Sequence, residues 1–215
     1  MAKHLRSMLQ GCLSLFFKLL YTQFAFLYNI VAWTSSIGQW RQWQTAALVH
    51  FKPGVILELG HGPGYGQLEL KQAGYTSIAL DPSHQMNRLA QRRLKRAGYR
   101  ADIVRGKAQS LPFLDQSLSA VVSIFPSEYI LDPQALQETW RVLSPGGSLT
   151  IVGLVEITGK SLPDRLARWL FRVTGQSGSI SENWADLFKE QGFIPKLEPV
   201  EMQRARVTRV VALRP

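Results

Sequence analysis

From Val55 onward, short apolar runs alternate with stretches whose apolar residues recur at helical spacing. The runs are Val55–Leu59, Ser77–Leu80, Ala101–Val104, Ala120–Phe125 and Leu149–Val155. Each is short, carries β-branched residues and is followed by turn residues, the pattern of parallel strands buried on both faces. Between them the spacing predicts helices over Tyr65–Ala73, Ser83–Ala97 and Pro133–Val142, the last with Asp132 as its N-cap. Gly74, Gly98 and Gly146 stand where those helices should stop. Strand and helix alternating in this way predict an α/β fold, a doubly wound and mostly parallel sheet. Further on, the pattern predicts a helix from Leu162 to Val173, a Gly/Ser-rich break at Gly175–Ser179 and a helix from Ser181 to Gln191 capped by Ser181. Two last runs, around Leu197–Met202 and Val207–Leu213, predict a C-terminal antiparallel hairpin added to the sheet.

The chain before Val55 follows a different pattern. Leu13, Phe16, Phe17, Leu20, Phe24, Leu27, Tyr28 and Val31 form an i, i+3, i+4, i+7 series, with Ser14, Lys18, Thr22 and Asn29 as a narrow polar stripe opposite. The uncharged stretch from Leu19 to Trp40 is long enough to span a bilayer, but Gln23, Asn29, Thr34, Ser35 and Ser36 make it a poor hydrocarbon helix. Lys3 and Arg6 before an apolar run suit a signal peptide, yet no small-x-small cleavage site ends the run. Three readings stay open: an amphipathic helix that caps the domain or lies on a membrane, a plain packed helix, and a transmembrane span. The expected organisation is an N-terminal amphipathic helical segment over residues 1–45, a helical cap, and one domain over residues 46–215.

Charge sharpens this picture. The net charge of the 215 residues is +10, and no Asp or Glu precedes Glu58. A second basic group runs through Arg88, Arg92, Arg93, Lys95, Arg96 and Arg100, and Arg165, Arg168 and Arg172 fall at helical spacing. Such surfaces attract nucleic acid, anionic lipid or acidic substrates alike. No nucleic-acid motif and no interleaved aromatics accompany them, so nucleic acid is not the expected partner. The single cysteine, Cys12, rules out an internal disulfide and points to a reducing compartment. The expected location is cytoplasmic, with peripheral attachment to the inner face of a membrane left open. The histidines at 4, 50, 61 and 84 show no metal-ligand spacing, and no metal is expected.

The informative chemistry lies in Val55-Ile56-Leu57-Glu58-Leu59-Gly60-His61-Gly62-Pro63-Gly64-Tyr65-Gly66. A strand gives way to a glycine turn and then to a helix, the place where such sheets bind ligands. A dinucleotide pattern would need a third glycine at Tyr65 or Gln67, and a phosphate-binding loop would need Gly-Lys-Ser/Thr. Instead, three glycines at alternate positions follow an acid two residues before the first. E-x-G-x-G-x-G after the first strand resembles the signature of class I S-adenosylmethionine-dependent methyltransferases. Ile78-Ala79-Leu80-Asp81, Ser110-Leu111-Pro112-Phe113 with Asp115, Ala120-Val121-Val122-Ser123, and Arg141-Val142-Leu143-Ser144-Pro145-Gly146-Gly147 resemble later parts of the same family. The resemblance covers roughly residues 50 to 155 and is nearest the subgroup with quinone-biosynthesis methyltransferases.

The resemblance implies a seven-stranded Rossmann-like sheet and S-adenosyl-L-methionine as cofactor. It implies that Gly60, Gly62 and Gly64 approach the methionine part, with His61 among them, and that Glu58 accepts hydrogen bonds from the ammonium end. Asp81 would take the two ribose hydroxyls, with Pro82 beside it. Met86 would pack on the adenine, Ala108 and Gln109 would meet its edge, and Phe125 would complete the site. Lys107 stands where the family usually has an acid, and Leu118-Ser119 where it usually has Phe-Asp. No catalytic base is evident. Ser127, Glu128 and Tyr129 lie where an acceptor would approach, and Tyr129 is the candidate catalytic residue. The expected reaction is methyl transfer to a hydrophobic small molecule or lipid, of the quinone-precursor or phospholipid-amine type. RNA or protein methylation, and a membrane-associated non-catalytic scaffold, are the alternatives. The oligomeric state is not readable.

Overall fold

The computed structural model describes residues 39–48, 51–162, 164–166, 168 and 184–215. The amphipathic series from Leu13 to Trp33, Cys12, the break at Gly175–Ser179 and the Ser181 cap lie outside the described residues. Helix α1 (Trp40–Thr45) leads to β1 (Val55–Leu59), α2 (Tyr65–Gln72), β2 (Thr76–Leu80), α3 (His84–Arg96) and β3 (Ile103–Val104). There follow β4 (Leu118–Ile124), a 3₁₀ turn (Glu128–Leu131), α4 (Pro133–Val142), β5 (Leu143–Ile157), α5 (Trp184–Glu190), β6 (Ile194–Glu201) and β7 (Ala205–Leu213).

The seven strands form one sheet in the order β3-β2-β1-β4-β5-β7-β6. The first five run parallel, and β7 pairs antiparallel with both β5 and β6. This is the doubly wound Rossmann-like sheet with a closing hairpin that the alternation predicts. Successive residues of a strand point to opposite faces, and both faces are covered here. Leu57, Val121 and Leu149 pack with Phe188 and Phe193 on one side. Ile56, Val122 and Val152 pack with Trp43, Leu70 and Val207 on the other. The apolar runs are continuous because each strand feeds two cores.

The predicted ends hold with local exceptions. Asp132 caps α4 by accepting from the Gln134 N–H at 2.9 Å, and Ser83 caps α3 by accepting from the Met86 N–H at 3.3 Å. Gly74 and Gly98 follow α2 and α3 with positive φ. Gly146 does not end α4. That helix stops at Leu143, whose backbone is extended, while Gly146 lies in β5 and donates its N–H to the Arg214 carbonyl at 2.8 Å. The carbonyls at the end of α4 go to the Arg214 guanidinium, which donates to Trp140 O at 2.8 Å and to Leu143 O and stacks 3.7 Å above the Trp140 ring. An arginine from β7's end thus does the work expected of a C-capping glycine.

Candidate active site

The carboxyl ends of β1, β2 and β4 meet α1, α2 and α3 around a cleft of about 1040 Å³. β1 delivers Glu58, whose side chain turns inward and is 2% exposed. It packs against the first turn of α2 at Gly66: a Cβ there would collide with Glu58 Oε1 and sit 2.7 Å from Ile124 Cδ1. Only glycine allows that approach. Glu58 Oε2 is buried with no hydrogen-bond partner. Burial pushes the Glu58 carboxyl up to about 8; a hydrogen bond from Gln67 opposes the rise and the charge of Asp81 adds to it. An acid left this way at the end of a strand is costly unless a ligand completes it.

Asp81 directly follows β2 and lies between the glycine turn and α3. Its Oδ1 accepts from the Ser83 N–H at 2.8 Å and its Oδ2 from the Gly62 N–H at 3.0 Å. Asn87 donates to the Asp81 carbonyl at 3.2 Å, and its Oδ1 lies 2.7 Å from His61 Nε2. His61 Nδ1 lies 2.7 Å from the Gly62 carbonyl. The buried His61 ring is thereby tied to the turn itself and to α3.

β4 contributes from the other side. The Ser123 hydroxyl donates to Leu59 O at 2.9 Å, and the Tyr129 hydroxyl lies 2.9 Å from Ser123 Oγ and donates to Leu59 O at 3.1 Å. The phenol fills the space where a side chain at Gly60 would go. Phe125 takes φ +50, a region non-glycine residues rarely occupy, and its ring lies 6.3 Å from that of Trp43 in α1.

Of the residues singled out in the sequence, Glu58, Gly60, His61, Gly62, Asp81, Pro82, Met86, Ala108, Gln109, Phe125 and Tyr129 all border the cleft. Gly64 does not. It faces α3, where a Cβ would come within 2.6 Å of Ala90 Cβ. Gln109 donates to Asp132 Oδ2 at 2.9 Å, which links the cleft's far wall to the cap of α4. Lys107 and Arg105 stand at that far end. Gln44 was not foreseen: it reaches the cleft from α1, is 6% exposed, and its Oε1 has no partner. Among the described residues no group of His, Cys, Asp and Glu could hold a metal ion, and no helix is long and apolar enough to cross a membrane.

The donor set fits S-adenosylmethionine. An unpartnered oxygen on the Glu58 carboxyl suits its ammonium, a second acid, Asp81, lines the same cleft, and buried Met86 offers an apolar wall. Residues 56–147 match the family described as a methyltransferase domain. The chain is 33% identical over 128 residues to a demethylmenaquinone methyltransferase of Renibacterium salmoninarum, covering 58% of this chain and 52% of that one. It is 38% identical over 116 residues to a phthiotriol/phenolphthiotriol dimycocerosates methyltransferase of Mycobacterium leprae, covering 52% and 42%. The chain thus spans about half the length of the curated relatives it matches. A solved Haemonchus contortus phosphoethanolamine N-methyltransferase 2 superposes with a TM-score of 0.60 at 18% identity, covering 83% of this chain and 53% of that one. That likeness speaks for the fold. With the glycine turn, Glu58 and Asp81 assembled as described, residues 56–147 are similar to the methyltransferase domain family, and the curated relatives that match are methyltransferases.

Proposed function

We propose that the chain binds S-adenosylmethionine in the cleft at the glycine turn and transfers its methyl group to a hydrophobic small molecule or lipid. The observation that carries the reading is Glu58, a buried carboxyl with an unpartnered oxygen that a cationic ligand group would complete. In this reading Asp81 accepts from the ribose hydroxyls, Met86 packs on the adenine, and Ala108 and Gln109 border its edge. Gly60, His61 and Gly62 face the methionine part, with Pro82 and Phe125 closing the walls. The bound cofactor supplies an electrophilic methyl group on a sulfonium. The protein's share is to align that methyl with the acceptor and keep water out, which together account for most of the acceleration in such displacements.

At about 1040 Å³ the cleft slightly exceeds the about 300–1,000 Å³ typical of ligand sites, which leaves room for an acceptor beside the cofactor. Ile124, Phe125, Pro126 and Tyr129 make the acceptor side largely apolar. The relatives named above carry the names of a demethylated quinone and of lipids as acceptors. Residues 1–45 carry no acid and are rich in aromatic residues, a composition suited to covering an acceptor or meeting an anionic membrane surface.

The test has two stages. Calorimetry should show S-adenosylmethionine binding to the purified protein, and cofactor labelled in its methyl group should then label a component of a lipid extract. Absence of cofactor binding would overturn the methyltransferase reading. Label appearing in RNA or protein in place of lipid would overturn the acceptor class. Deleting residues 1–30, which spares α1, should keep cofactor affinity and remove transfer to the lipid acceptor.

A further inference from the structure

Among the described residues, two buried acceptor oxygens that border the cleft have no partner, Glu58 Oε2 and Gln44 Oε1. They come from elements far apart in the chain. Gln44 belongs to α1, which packs on α2, and its neighbour Trp43 joins the core cluster of Leu70 with Ile124 and Phe125 packed against it. Ile124 in turn touches the Gly66 position that abuts Glu58. Ile124 thus connects the packing of α1 to the Gly66–Glu58 contact, which puts Gln44 and Glu58 on the same side of the cleft. Two acceptors at one end call for a ligand group with several N–H donors, and the acid among them favours one that is positively charged.

We propose that Gln44 and Glu58 together form the subsite for the cofactor's α-ammonium group, so that α1 is part of the cofactor site and not only a cover over it. This rests on the reading of the cleft as an S-adenosylmethionine site. An ammonium offers three donors, enough for Glu58 Oε2, Gln44 Oε1 and one further acceptor. A carboxylate at the same place would bring no donor for either oxygen, and a lone hydroxyl would leave one oxygen unmet. The ligand then bridges α1 and the end of β1.

The test compares two probes, S-adenosylhomocysteine, which carries the ammonium, and 5′-methylthioadenosine, which lacks it. In Gln44→Met and Gln44→Leu, S-adenosylhomocysteine affinity by calorimetry should fall about tenfold, the scale of one hydrogen bond to a charged group, while methylthioadenosine affinity stays as in the wild type. Gln44→Glu, which keeps an acceptor at the same reach, should bind S-adenosylhomocysteine within about threefold of the wild type. Unchanged S-adenosylhomocysteine affinity in the Met and Leu variants overturns the proposal. So does an equal loss of both probes across all three variants, since that marks a packing role. A wild-type protein that binds neither probe overturns the cofactor reading itself.

Discussion

Asp81 holds Gly62: one carboxylate oxygen at the end of β2 accepts from the backbone N–H in the middle of the glycine turn at 3.0 Å, while the other holds Ser83 at 2.8 Å. The residue proposed to take the ribose thus shapes the loop proposed to take the methionine. Asp81→Ala should therefore have two effects. Cofactor affinity should fall by roughly 1.5–3 kcal/mol, the cost of losing a charged hydrogen-bond partner. The ligand-free protein should also melt earlier, because two backbone donors lose their acceptor. Calorimetry and thermal unfolding read the two separately, and unchanged affinity would remove Asp81 from the site.

Two glycines of the turn should fail in different ways. At Gly66 a methyl group would strike Glu58 and Ile124, so Gly66→Ala should lose about 1–3 kcal/mol of stability, as overpacked sites do. At Gly62 a side chain meets nothing within 4 Å, and the residue borders the cleft with φ +52. Gly62→Val should fold, with strain of order 1–3 kcal/mol, and lose cofactor binding because the valine occupies ligand space. Circular dichroism melts set beside calorimetric titrations separate the two outcomes.

The Glu58 carboxyl gives a pH signature. In the ligand-free fold it keeps its proton up to about pH 8, against an ordinary value of 4.5. Between those values the folded state binds one more proton than the unfolded chain, so stability should fall as pH rises through that window. An ammonium beside Glu58 favours the carboxylate instead. Cofactor binding below about pH 8 should therefore release a proton, and affinity should climb with pH up to that point. Calorimetry in buffers of different ionisation enthalpy counts the proton directly. Glu58→Gln should bind more weakly and show a flat profile from pH 5 to about 8 if Glu58 is the group responsible.

Tyr129 should act by position. Its hydroxyl is held between Leu59 O and Ser123 Oγ and backs Gly60. Tyr129→Phe should cost about 0.5–1.5 kcal/mol of stability and lower the rate of methyl transfer, leaving the shape of the pH–rate profile unchanged. Loss of one limb of that profile would instead make Tyr129 an acid–base group.

Much of the fold was legible in the sequence because its cause is local. A strand buried on both faces shows as a continuous apolar run, as at Val55–Leu59, and an N-cap such as Asp132 shows as a single residue type before a helix. The acid and the glycines of the turn were legible for the same reason. Gln44 was not. A polar residue in a short helix reads as a solvent-facing one, whereas Gln44 is buried in a helix that packs on α2. Arg214 was equally hidden: it caps α4 across 71 to 74 residues of chain, and no spacing rule reaches that far. Phe125 was expected at the site from the resemblance, but its left-handed backbone carries no sequence signal, since phenylalanine has no preference for it.

The place of β7 has a consequence for solubility. It lies between β5 and β6, although it follows both in the chain, and covers the long flank of β5 from Ser148 to Ile157. A chain cut before Ala205 would leave that flank as an open edge bearing Leu149, Ile151, Val152 and Val155, and would leave β6 with no neighbour to pair with. Unpaired apolar edges recruit other chains. Fragments of that kind should accumulate as aggregates even though the glycine turn, Glu58 and Asp81 are all present in them.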